Sequence, residues 1–155
     1  QFELRKLAAP YFHRNLDGGE GDMLVGKSLW AFQKKKAHMI CELSPYSCMP
    51  NTMSIGAMAG VIGKYPEILY APLETKGDAE VHALSRCQMI LTEAKKRAQR
   101  EFDEALAASG LTLEQVRGYL DAHPETKRAT YRVPHLGCAG QAANLVRHVG
   151  QRASR

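Results

Sequence analysis

"HMICELSPYSCMPNTMSIGAMAGVIGKYPEILYAPL", residues 38–73, is the stretch on which the rest of the chain turns. "HMICEL" (38–43) is a short apolar run between a charged stretch and a proline, which suits a buried strand better than a helix. Pro45 and Pro50 each restrict the residue before them and remove a backbone donor, so "SPYSCMPNT" is expected to be a loop. Asn51 or Thr52 then caps a helix over "MSIGAMAGVIGKY", whose three glycines lower its intrinsic stability and allow close packing against a sheet. "EILYAPL" from Glu67 is a second strand, closed by Pro72 and a turn around Gly77. Strand, loop, helix, strand is the rhythm of an α/β domain with parallel strands.

Upstream, "GDMLVGKS" (21–28) matches the phosphate-binding pattern G-x-x-x-x-G-K-[ST] letter for letter. That pattern needs a buried strand running into the glycine loop, with backbone amides free to wrap phosphate. Here "RNLDGGE" precedes it, which is polar and offers no strand. Met23, Leu24 and Val25 fill positions where a tight loop favours small residues, and three adjacent apolar residues belong to a helix facing a core. A helix is therefore expected over Met23–Phe32, with Asp17 or a glycine as its cap and Lys34 to Lys36 at its carboxyl end. A nucleotide site built on Lys27 is the alternative.

Downstream, Val81, Leu84, Cys87, Leu91, Ala94, Ala98, Phe102 and Ala105 recur at three- and four-residue steps, and a long helix is expected from Ala79. Gly110 ends it. "TLEQ" (112–115) is a capping box opening another helix that stops before Pro124. "RATYRV" reads as a strand. "GCAGQAANLVRHVG" reads as a glycine-rich turn feeding a short helix with Ala142, Leu145, Val146 and Val149 inside. The fold expected is an α/β, Rossmann-like open sheet of mainly parallel strands flanked by helices, with a helical C-terminal part. At 155 residues and 45% apolar, one domain spanning 1–155 is expected.

A net charge of +5 would suit an anionic partner. The excess is spread over "KKK" (34–36), "KKRAQR" (95–100) and "RHVGQRASR", and few aromatics interleave with these runs, so a solvated face accounts for them and nucleic acid is not expected. No apolar run reaches the length of a bilayer, and no membrane partner is expected. The four cysteines fall at irregular separations with no Cys-x-x-Cys pair, which fits reduced thiols in the cytoplasm. The opening residues, without an initiator methionine or an apolar leader, read as the start of a C-terminal piece of a longer chain.

Among the candidate site residues Cys48 stands apart, because it lies in the proline-bracketed loop between a strand and a helix N-terminus. Ligands collect at the carboxyl ends of parallel strands, and a helix N-terminus favours the anionic, metal-binding form of a thiol. Its plainer reading is a small buried hydrophobe. Cys41, in a strand, and Cys87, on the apolar stripe, are expected in the core; Cys138 lies in the glycine-rich turn. His82, His123, His135 and His148 show no ligand spacing. Glu20, in a glycine turn near a helix start, is either a favourable dipole contact or a binding group.

"APYFHRNLDGGEGDMLVGKSLWAFQKKKAHMICELSPYSCMPNTM" (9–53) resembles the C-terminal region of the large acyl-CoA dehydratase activase-related proteins, within the 2-hydroxyacyl-CoA dehydratase and CoA-enzyme activase superfamily. The residues that carry the resemblance are Pro10, Tyr11, Gly19, Glu20, Val25, Gly26, Lys27, Pro45, Tyr46, Cys48, Met49 and Pro50. Tyr46 and Ser47 depart from the phenylalanine and the glycine or threonine that are more usual there, and Asn51 follows the motif. The resemblance implies a dehydratase-like domain in which "GDMLVGKS" starts a helix, with an ATPase module upstream. It implies a [4Fe-4S] cluster bound through cysteine thiolates, Cys48 as one metal ligand and Glu20 as a cofactor-binding residue, with the other ligands expected from the upstream chain. The implied partners are the upstream domains and an acyl-CoA or redox partner. The competing expectation is a non-catalytic interaction domain whose Cys48 loop binds no metal.

Overall fold

The computed structural model describes residues 2–13, 15–16, 19–77 and 80–153. Asp17, proposed as a helix cap, and Ala79, the expected start of the long helix, lie outside the described residues. The elements in chain order are α1 (Phe2–Ala8), α2 (Gly21–Gln33), β1 (Ile40–Pro45), α3 (Met49–Lys64), β2 (Tyr70–Thr75), α4 (Glu80–Ser109), α5 (Leu113–Ala122), a short 3-10 turn (Pro124–Lys127) and α6 (Gln141–Ala153). They fall into two compact units, Gln1–Ala94 and Lys95–Arg155.

In the first unit β1 and β2 pair in parallel, Ile40 opposite Tyr70 and Pro45 opposite Thr75, and α3 is the crossover. The strand, loop, helix, strand reading of 38–73 is thus observed, as a mixed helix and strand fold whose described sheet has two strands. Pro72 does not close the second strand; it sits inside β2 opposite Glu42. The ladder is framed by Ile40 N–H donating to the Leu69 carbonyl and Tyr46 N–H donating to the Thr75 carbonyl. Residues alternate along a strand, so the odd-numbered positions of β2 face β1, and the N–H that Pro72 lacks would point away from it.

The same alternation sorts the side chains. Glu42 and Ser44 are buried, whereas Cys41 and Leu43 are exposed. Cys41 is therefore not a core residue, because the buried side of β1 belongs to the even positions. The core of this unit joins Val25 and Leu29 of α2 to Met58 and Val61 of α3, with Ala8, Phe12 and Ile68. α2 begins at Gly21 rather than Met23, and Lys34 is its C-cap. The glycines of α3 do not mediate close packing against the sheet: a Cβ at Gly56 or Gly63 would meet nothing within 4 Å, and one at Gly60 would make an ordinary contact with Tyr11 of the loop after α1, at 3.6 Å. The close approach is made by Gly26 of α2, against the Leu4 backbone of α1.

The stripe on α4 is buried in part. Ala94 and Ala105 are buried, but Val81, Leu84 and Leu91 are exposed. In the second unit, Ala105 packs with Val116 of α5, with Cys138, and with Ala143, Val146 and Val149 of α6. The capping box is present: Thr112 Oγ1 accepts from Gln115 N–H at 3.2 Å and Gln115 Oε1 accepts from Thr112 N–H at 2.8 Å. Gly110 follows α4 with φ +67°, the left-handed conformation that glycine takes without a Cβ penalty.

"RATYRV" (128–133) forms a turn and an irregular segment rather than a strand. Tyr131 N–H donates to the Arg128 carbonyl across that turn, and no strand in this unit's described residues offers it an edge. The segment 136–140 is held instead by Asn144, whose Oδ1 accepts from Leu136 and Cys138 N–H while its Nδ2 donates to the Cys138 and Gly140 carbonyls. Glu101 accepts from Ala139 and Gly140 N–H at 2.8 and 2.7 Å, placing a carboxylate beside the first turn of α6.

Tyr131 Oη lies 2.7 Å from His148 Nε2. Burial first, and Arg152 second, hold His148 below the usual imidazole range. A group depressed in the fold contributes stability that is present above its unfolded pKa and is lost as pH falls through the folded value. The second unit is therefore expected to lose stability as pH drops below about 6.5, and His148→Gln is expected to flatten that loss. Thermal unfolding of both forms between pH 8 and pH 5 checks this; equal slopes would contradict it.

Candidate functional site

The first site residue lies at the carboxyl end of β1. After Pro45 the chain turns through Tyr46 and Ser47 and enters α3 at Met49. Ser47 takes φ +61°, a left-handed conformation that costs a residue with a Cβ about 1 kcal/mol. Cys48 N–H closes the turn on the Pro45 carbonyl at 3.0 Å. Cys48 is then the N-cap of α3 with extended backbone, a place expected for Asn51 or Thr52. Pro50 falls in the first helical turn, where its missing N–H has no partner to lose.

The Cys48 carbonyl accepts from Thr52 N–H and from Thr52 Oγ1, both at 2.9 Å, while its side chain makes no capping hydrogen bond. The thiol is half-buried and free. Beside it in the chain Tyr46 and Met49 are 62% and 60% exposed, so the turn carries two large, exposed apolar side chains.

Glu20 reaches the same end of the molecule. It is the N-cap of α2, exposed, with no side-chain capping bond. Its flanking glycines lie against the Cys48 turn: a Cβ at Gly19 would stand 2.6 Å from Pro50 Cγ, and one at Gly21 would stand 3.0 Å from the Pro50 carbonyl oxygen. Two of the segments that carry the resemblance thus meet, Gly19 and Gly21 lying against Pro50.

Beneath the turn lies a group that the sequence reading missed. The buried Glu42 carboxylate accepts from Asn51 Nδ2 at 3.0 Å, from Ser54 Oγ at 3.0 Å and from Tyr70 Oη at 2.6 Å. Asn51 Nδ2 also lies 3.4 Å from the Leu43 carbonyl. Burial, then the bond to Glu42, pushes the Tyr70 phenol well above its ordinary range, so it stays a donor. The visible sign was an acidic residue on the buried side of a strand followed by small polar residues on the next helix.

The other sequence candidates sit on other elements or turns. Lys27 is exposed in the middle of α2; the glycines of "GDMLVGKS" lie in a helix from Gly21 onward, not in a phosphate-cradling loop. Cys138 is buried in the second unit. Among the described residues no three His, Cys, Asp or Glu side chains stand together as a metal-binding group. Among them, too, no helix is long and apolar enough to cross a membrane. No family model, no curated protein and no solved structure matches the chain.

Proposed function

We propose that this chain is a domain of an iron–sulfur protein related to the 2-hydroxyacyl-CoA dehydratases and their ATP-dependent activases, and that it donates Cys48 as one thiolate ligand of a [4Fe-4S] cluster. The observation that carries the reading is the presentation of Cys48: a free, half-buried thiol at a helix N-cap beyond the carboxyl end of a parallel strand. Glu20 stands at the neighbouring helix start and is read with it as cofactor-binding, since its glycine turn packs on Pro50.

Among the described residues no three metal-binding side chains stand together, so in this reading Cys48 is one ligand and the others are supplied from elsewhere. The remaining thiolates come, in this reading, from a facing surface, and the exposed Tyr46 and Met49 beside Cys48 are the apolar border on which that surface closes. When bound, such a cluster accepts and returns one electron at a time. What this chain itself does is hold Cys48 in place through the Pro45 and Thr52 hydrogen bonds and provide an apolar border that excludes water. The two described strands, in this reading, belong to a larger Rossmann-like open sheet in a longer, cytoplasmic protein. Its upstream domains carry the ATPase, and an acyl-CoA or a redox protein is the partner.

The same apolar border favours a second reading, in which the Cys48 loop docks on another part of the protein without any metal. Iron and acid-labile sulfide content separates the two. In protein purified anaerobically from its own cells, the first reading expects a cluster whose iron and sulfide fall severalfold in Cys48→Ala, with the visible absorption lost in step. An unchanged cluster, or no cluster in either form, gives the interaction reading the lead.

A further inference from the structure

The two edges of the β1–β2 pair differ. Ile40 and Tyr46 N–H donate to the Leu69 and Thr75 carbonyls, so the even-numbered residues of β1 turn their backbone groups toward β2. Cys41 and Leu43 therefore turn theirs to the opposite edge, where no described strand pairs with them. The Leu43 carbonyl lies 3.4 Å from Asn51 Nδ2. On the far edge of β2 the outward position opposite Glu42 is Pro72, which has no N–H to offer a further strand. The outward positions of β1 are neither proline nor charged, so nothing in them blunts its edge.

A groove runs along that open edge. Leu24, Lys27, Ser28 and Ala31, one face of α2 at three- and four-residue steps, stand across about 320 Å³ from residues 39–42, and no described residue of β2 lines it. The lining is mainly apolar. Its charged groups are the exposed Lys27 ammonium and the Glu42 carboxylate, which is committed to Asn51, Ser54 and Tyr70. The basic run 34–36 leads directly into Ala37, which also lines the groove.

We propose that this groove takes an extended, acidic segment from outside this chain as a third strand on β1, apolar on the side that faces α2 except for one carboxylate, which meets Lys27. Main-chain hydrogen bonds to Cys41 and Leu43 hold the segment, and the apolar wall and Lys27 select its side chains. Such a segment is the next strand of the larger open sheet proposed above, so the inference rests on that sheet and not on Cys48 or iron.

The test is selection from a library of random short peptides on the immobilised full chain, followed by amide exchange, read by NMR, with a selected peptide bound. Expected are peptides of net negative charge with apolar residues at alternate positions, and severalfold slower exchange at the Cys41 and Leu43 N–H groups. N-methylation of a peptide at the residues that pair with these groups is expected to abolish binding. Lys27→Glu, a change on the exposed side of α2, is expected to leave the fold intact and to weaken the acidic peptides severalfold. Failure to select any peptide, selection without acidic preference, or unchanged exchange at Cys41 and Leu43 overturns the proposal. Protection of the same amides that grows with protein concentration and needs no peptide makes the occupant a second copy and overturns it too. None of these readouts involves iron, so their failure leaves the Cys48 assignment standing, and absence of a cluster leaves the groove standing.

Discussion

Glu42→Leu is expected to destabilise the Gln1–Ala94 unit by about 4 kcal/mol. The carboxylate accepts three buried hydrogen bonds, from Asn51 and Ser54 of α3 and from Tyr70 of β2. Leucine removes the desolvation cost of a buried charge but leaves three donors without acceptors, each costing about 1–3 kcal/mol. Tyr70→Phe alone should cost about 1–2 kcal/mol, and in the Glu42→Leu background it should cost nothing or stabilise, because its hydroxyl is by then an orphan. Trp30 is the chain's one tryptophan and lies in α2, so denaturant unfolding followed by its fluorescence reads this unit alone. Additive effects of the two substitutions would contradict the network.

Gly26→Ala carries the second large effect, at about 2–3 kcal/mol of lost stability. In an open helix the same change would gain up to about 1 kcal/mol. Here the new Cβ would stand 2.7 Å from the Leu4 carbonyl carbon and 3.0 Å from its Cα, and backbone cannot rotate aside as a side chain can. α1 would have to lift, uncovering Ala8 and its neighbours in the core. Gly56→Ala and Gly63→Ala are the controls: both lie in α3 facing open space and are expected to stabilise by about 0.5–1 kcal/mol. Equal effects at all three glycines, read by the same fluorescence, would show that the α1–α2 approach is not as tight as described.

These two sites also show what local pattern can and cannot reveal. The strand, loop, helix, strand course of 38–73 was legible because apolar runs, prolines and a small-residue helix are signals within a few residues of each other. So were the Gly110 stop and the Thr112–Gln115 capping box, both made by neighbours in sequence. Pro72 misled because a missing N–H matters only on the side of a strand that faces a partner, and that side depends on register. Gly26 misled in the opposite direction. Its role is set by α1, an element that no periodicity announced, while two of the three glycines of α3, Gly56 and Gly63, face open space and Gly60 leaves ordinary room beside Tyr11.

The site divides in the same way. Cys48 and the loop that holds it could be read from two prolines. The contact of Glu20's glycine turn with Pro50, some thirty residues on, could not, nor could the choice of Cys48 over Asn51 as the helix cap. Asn51 is drawn elsewhere, to the Glu42 carboxylate on a strand read only as a short apolar run. Cys41 and Cys87 were expected in the core from their places in a strand and on an apolar stripe, whereas strand alternation leaves Cys41 exposed and Cys87 is only half-buried.

The most direct measurement on Cys48 is thiol footprinting by mass spectrometry on the anaerobically purified protein, alkylated before and after iron is stripped with a chelator. If Cys48 is a cluster ligand, it resists alkylation until the iron is removed and then labels fully, while the labelling of exposed Cys41 does not change. Equal labelling of Cys48 before and after chelation would contradict the ligand assignment and leave its loop as a docking element.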